Sequence, residues 1–165
     1  MGQILFPISP HRPHYPHRDR FMETFCLRHR DRFMETFCLR LTPGQDLKQE
    51  LQTFVQAQSL EAGIILTALG SLTQASLRFA AAPEATVIDG PLELISLSGT
   101  LSRHGMHLHG AIADAQGNVY GGHIMSGCLI RTTAEIAIAN LPHLRLHRQL
   151  DPVTGYLELV IDAFS

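Results

Sequence analysis

Hydrophobic positions between residues 42 and 161 follow two periods. Leu47, Leu51, Phe54 and Val55 recur at three- and four-residue intervals, which lines up one apolar face of an α-helix. Pro43-Gly44 sets a turn ahead of that stretch, and Asp46 with Gln49 makes a capping box for its first turn. Gly63 is expected to end the helix. Beyond it the period shortens, and apolar runs predict strands over 64–69, 75–79, 92–101, 106–114, 119–125, 128–139, 144–149 and 156–161. The breaks between runs carry Gly, Pro, Asn or Asp, as strand connections do. One main helix with eight or nine strands is an α+β domain whose sheet is mostly antiparallel and partly closed, towards a barrel.

Upstream, HRDRFMETFCLR at residues 17–28 recurs without a change at residues 29–40. Solenoid repeats drift and come as three or more units, so a recent duplication, a cloning scar or an assembly error fits better. Each copy reads as a strand. In the second, Phe33, Phe37 and Leu39 share a face interrupted by Glu35, and Met34, Thr36, Cys38 and Arg40 share the other. Because the unit has an even number of residues, a slip by one copy keeps every side chain on its face. The second copy is expected to join the sheet, since it runs directly into the rest of the chain. The first is then surplus: a tail, an extra edge strand or a swapped arm. This divides the chain into a tail over 1–29 and a domain over 30–165.

The size and composition, 165 residues with 45% hydrophobic and 17% charged, suit one globular domain with a tail. No apolar run approaches the roughly 18 residues of a membrane span. Ile4-Leu5-Phe6 falls short of a secretory signal core, and Phe6 stands where a myristoylation signal needs Ser or Thr. A cytoplasmic protein is expected. The net charge of −2 gives no overall reason for nucleic-acid binding. Charge is uneven, however. Residues 1–40 hold seven Arg against four acids, a net +3, and the remainder six Lys plus Arg against eleven acids, a net −5. The segment HRPHYPHRDR either touches phosphate or is a solvated arm, and the small excess favours the arm. Three cysteines, two of them copies of one another, make no disulfide framework.

The candidate chemistry lies in GMHLHGAIADAQGNVYGGHI, residues 105–124. His107 and His109 are two apart on a strand and project from one face. A three-residue loop, Ala115 to Gly117 with Gly117 left-handed, pairs Asp114 with Asn118 and, counting back, His109 with His123. Direct cross-strand partners share a face, and His107 is one diagonal step away, so three imidazoles converge. A two-residue loop would send His123 to the opposite face, and Gly121-Gly122 is a place where a bulge would change the count again. Three imidazoles with an open fourth position suit zinc, with nickel, copper or iron close behind. The plain alternative is a half-exposed face that happens to carry histidines.

Other residues carry less. Cys128 precedes a very apolar strand and reads as a buried small residue rather than a nucleophile. The GGH and SGC stretches open no helix, so they are not phosphate loops. Ser96-Leu97-Ser98-Gly99 lies within a strand, not at a nucleophile elbow. Arg131, Thr133 and Glu135 share one strand face and read as an interface row, in a region of few charges suited to burial between subunits.

Several linked motifs resemble one family. GPLELISLSGTLS (90–102), GMHLHGAIADAQGNVYGGHIMSGCLI (105–130) and TTAEIAI (132–138) look like the PPC domain, named for plants and prokaryotes, and residues 42–80 match its opening helix and strands. The resemblance spans roughly residues 30–161. It implies an α+β domain assembled as a homotrimer, and in prokaryotes a regulatory protein provisionally assigned to DNA binding, of uncharacterised activity. Plant members carry AT-hooks, whose Arg-Gly-Arg-Pro core is missing here, and generally lack the histidines at 107, 109 and 123. The fold is also similar to that of acetolactate decarboxylase, whose metal is held by a His-x-His and a third His. The resemblance therefore implies a divalent metal, zinc foremost, on His107, His109 and His123. That enzyme also needs an arginine and carboxylates, for which Glu93, Arg78 and Arg131 are candidates. The alternative function is thus a metal-dependent, lyase- or decarboxylase-like enzyme acting on a small carbonyl or carboxylate compound, and a third is a purely structural metal.

Overall fold

A computed structural model of the chain describes residues 34–164. The expected tail, the first repeat copy and Phe33 lie outside the described residues. The elements are β1 (Glu35–Leu41), α1 (Leu47–Ala57), β2 (Gly63–Arg78), β3 (Thr86–Ser102), β4 (Gly105–Ala113), β5 (Val119–Ile124), β6 (Leu129–Asn140), β7 (Leu144–Leu150) and β8 (Leu157–Ala163). Six strands form one sheet in the order β1-β6-β2-β3-β4-β5, and β5 returns to β2 through Leu77↔Ile124 and Arg78↔His123. Every pairing is antiparallel. The class is α+β with a partly closed sheet. β7 and β8 form a separate hairpin.

The second repeat copy supplies β1, and its alternation does what the pattern requires. Phe37, Leu39 and Leu41 are buried, while Cys38 and Arg40 are exposed. Helix α1 lays Leu47, Leu51, Phe54 and Val55 against this face, with Phe37 and Phe54 packed edge-to-face at 5.3 Å. Each such side chain removed from water contributes about 1.5–3 kcal/mol.

Asp46 caps α1, its Oδ1 accepting from Lys48 N at 2.9 Å and Gln49 N at 3.1 Å. Its other oxygen accepts from Gly127 N at 2.5 Å, which ties the helix start to the turn between β5 and β6. Gly63 does not end the helix. Gln58 is the C-cap and Ser59 takes the left-handed conformation at φ 50°, so the chain has already turned. Gly63 opens β2 instead, where a Cβ would lie 2.7 Å from Leu60 Cδ2.

Two expected breaks are likewise absent. Strand β2 runs unbroken where two strands were predicted, and β3 begins at Thr86 rather than 92. The breakers sit inside long bent strands. At Gly70 a Cβ would meet the backbone of Thr133 and Ala134 on β6, and at Gly90 it would lie 2.8 Å from Leu72 O. The β2–β3 register shifts between Leu72 and Gln74, opposite Gly90-Pro91, so those residues form an irregularity that bends the sheet.

Candidate metal centre

The site is built by the β4–β5 hairpin. Asp114 N donates to Asn118 O and Gly117 N to Asp114 O, both at 3.0 Å, with Gly117 at φ 82°. Asp114 Oδ1 accepts from the amides of Gln116 and Asn118, each at 2.9 Å, so the aspartate holds the three-residue loop closed. From Ala113↔Val119 the register runs without a shift to His109↔His123, and Gly121-Gly122 adds no bulge. Small residues matter here for close approach: a Cβ on Gly110 would lie 2.7 Å from Ile124 Cδ1.

The three rings meet on one face. His107 Nε2 and His109 Nε2 are 3.1 Å apart, and one ring nitrogen from each of His107, His109 and His123 lies within 4.8 Å of the others. His109 is exposed and His123 half-buried. Two zinc–imidazole bonds of about 2.0–2.1 Å at a tetrahedral angle hold their nitrogens about 3.3 Å apart. The His107–His109 pair is close to that separation at 3.1 Å, and the His123 nitrogen lies within 4.8 Å of both. The donor set therefore fits a divalent ion with one position open to solvent.

Burial and neighbouring cations disfavour protonation of His107 and His123. Burial, then Arg148 and His109, lowers the His107 pKa, partly offset by Glu158. Burial, then the charges of His107, Lys48, Arg78 and His109, pushes His123 down to about 4. Neutral imidazole is the form that donates a lone pair to a metal.

Of the supporting residues proposed from sequence, the fold brings one to the triad. Arg78 stands directly opposite His123 in the β2–β5 ladder, so its side chain shares the triad's face. Glu93 pairs with Ala113, four residues along β4 from His109 and beyond a register shift. Arg131 lies on β6, which pairs with β1 and β2 and not with the hairpin. Two other cations were not anticipated. Lys48 Nζ donates to Ile124 O at 3.2 Å, beside His123. Arg148 Nη2 donates to Thr100 Oγ1 at 3.2 Å, and Thr100 is the cross-strand partner of His107. Both come from elements remote in sequence, and no spacing signals them.

Away from the triad the readings are plain. Cys128 is buried, its Sγ accepting from Ser76 N at 3.3 Å, and burial raises its thiol pKa. Arg131 and Glu135 are exposed on β6, while Thr133 is half-buried and donates to Leu41 O.

A family model for the Plants and Prokaryotes Conserved (PCC) domain matches residues 28–142. The chain belongs to this family. The PCC domain of this chain is 55% identical over 123 residues to a protein named Bifunctional protein GlmU from Synechococcus sp. (strain JA-3-3Ab), a match covering 74% of the chain. The chain spans about one fifth of the length of the curated relatives it matches, at 20% and 19%. Among solved structures, a hypothetical protein from Salmonella enterica has 43% identity and a TM-score of 0.78, covering 82% of this chain and 99% of that one. A metal-containing protein from Archaeoglobus fulgidus has 25% identity and a TM-score of 0.65, covering 86% and 99%. A Bacteroides thetaiotaomicron protein, provisionally named DNA-binding, shares the fold at 16% identity and a TM-score of 0.70, covering 86% and 98%.

Proposed function

We propose that this PCC domain is a metal-binding regulatory module that holds one divalent ion, zinc foremost, on His107, His109 and His123. The observation that carries it is the nitrogen geometry: two ring nitrogens 3.1 Å apart with a third inside 4.8 Å, on a face open to solvent. The description of the Archaeoglobus fulgidus relative as metal-containing supports the same reading. When bound, such an ion supplies a Lewis acid at its open position or a structural crosslink between β4 and β5. The chain's own part is to align three imidazoles and to disfavour protonation of His107 and His123. Zinc titrated into chelator-stripped protein should bind with about one equivalent per chain and be lost in His109→Ala; no uptake would refute the site.

The working unit in this reading is residues 30–165, acting in the cytoplasm as a homotrimer. Leu66 and Leu69 on β2 are 49% and 53% exposed, beside a groove of about 330 Å³ lined by Cys38, Thr67, Glu135 and Ala137 among others. A second copy of the chain covers that apolar face. DNA is the proposed partner for the regulatory role, bound mainly through phosphate contacts from arginines and hence with steep salt dependence. A labelled duplex that fails to shift at low salt would remove DNA from the account.

A second reading is a metal-dependent, lyase-like enzyme for a small carbonyl or carboxylate compound, favoured by Arg78 opposite His123. Turnover abolished by His109→Ala would select it.

A further inference from the structure

The surroundings of the triad are uneven in charge, and the unevenness comes from separate parts of the fold. Arg78, at the end of β2, is exposed and shares the triad's face as the cross-strand partner of His123. Lys48, in the first turn of α1, anchors its ammonium on the carbonyl of Ile124, next to His123. Arg148, on the β7–β8 hairpin, reaches Thr100 beside His107. Among the described residues no ion pair joins any of these three cations to a carboxylate. Among the described residues, Glu158 on β8 acts on His107 in the opposite sense, and its effect is smaller than that of Arg148.

A bound divalent ion would add further positive charge at the same place. Three unpaired cations around a metal face repel one another, and water only partly relieves this where Lys48 and Arg148 are half-buried. A rim built this way is complementary to a negative ligand and unfavourable to a cationic one. Arg78 adds direction to the charge, because a guanidinium matches two oxygens of a planar carboxylate or of a phosphoryl group through parallel N–H donors.

We infer that the open side of the triad is a binding site for a small oxyanion, which would sit between the ion held by the triad and the guanidinium of Arg78, with Lys48 and Arg148 closing the rim. This rests on the metal reading above, and it extends that reading by naming the ligand's chemistry. The hairpin β7–β8 acquires a role by it: Arg148 fixes one wall of the site from outside the main sheet.

The test uses the full chain loaded with cobalt(II), whose visible bands report any change at the open coordination position. Acetate and methylphosphonate are titrated separately, with neutral acetamide as the control. The expected result is saturable spectral change with one or both anions and none with acetamide at equal concentration. The tighter of the two anions identifies a carboxylate or a phosphoryl source. Arg78→Gln should bind cobalt with unchanged stoichiometry and weaken the anion about tenfold or more, the scale of a lost charge-assisted hydrogen bond. Arg78→Lys should lose less. If the chain takes up cobalt but acetamide matches the anions, or Arg78→Gln leaves anion affinity unchanged, the oxyanion inference alone is overturned. If no cobalt is taken up, the metal reading falls and this inference falls with it.

Discussion

His109 and His123 face each other directly across the β4–β5 ladder, with an unbroken register between them and the Asp114–Asn118 turn. The turn therefore sets the site. Side chains alternate faces along a strand, so one residue more or less in the loop carries His123 to the opposite side of the sheet. Inserting one alanine between Ala115 and Gln116 should leave the helical and strand content intact while abolishing zinc binding in a calorimetric titration. Retained zinc affinity would mean that the ligands do not depend on this register.

Backbone crowding beside the triad gives a second test. Gly99 sits at φ 151°, and a Cβ there would run into the carbonyl of His107. Gly99→Ala must either push β4 outward or strain β3. It should cost about 1–3 kcal/mol in denaturant unfolding, the range for overpacking at a tight site, and weaken zinc binding as His107 is displaced. A neutral effect on both would show that β4 has room to move there.

Asp46 joins two elements through one carboxylate, capping α1 and holding the Gly127 amide. An N-cap alone is worth about 0.5–2 kcal/mol. Asp46→Ala should therefore cost roughly 2 kcal/mol or slightly more, with Asp46→Asn recovering part of it. A loss below about 0.5 kcal/mol by urea unfolding would contradict the double role.

Acid should destabilise the metal-free protein through His123. Its pKa is about 4 in the folded chain against an ordinary 6.5. Between those values the unfolded chain binds more protons than the folded one, so stability rises with pH there. Lowering the pH from 6.5 towards 4 with chelator present should lower the melting temperature, and His123→Gln should flatten that slope. A slope unchanged by the substitution would assign the acid sensitivity to other groups.

Much of this geometry was legible in the residues. The stripe Leu47, Leu51, Phe54 and Val55 states a helix face, and the length of the Asp114–Asn118 loop with Gly117 states the histidine register, because both depend on local periodicity. The expected helix end at Gly63, and the expected breaks that contain Gly70 and Gly90, differ from the structure for a physical reason. A glycine that ends an element and one that lets another strand approach look the same in a sequence, and here all three serve close approach or a bend. Lys48 and Arg148 were invisible as site residues because only tertiary packing brings α1 and β7 to the hairpin. Glu93 and Arg131 have the right chemistry for a metal site, but the register puts them elsewhere.

The most direct measurement of the central claim is elemental analysis of the purified, untagged chain, combined with light scattering on the eluting species. The account predicts about one divalent metal per chain in a trimer, and none in the His107→Ala/His109→Ala variant at the same oligomeric state. A metal-free protein that zinc fails to load, or equal metal content in the double variant, would contradict it.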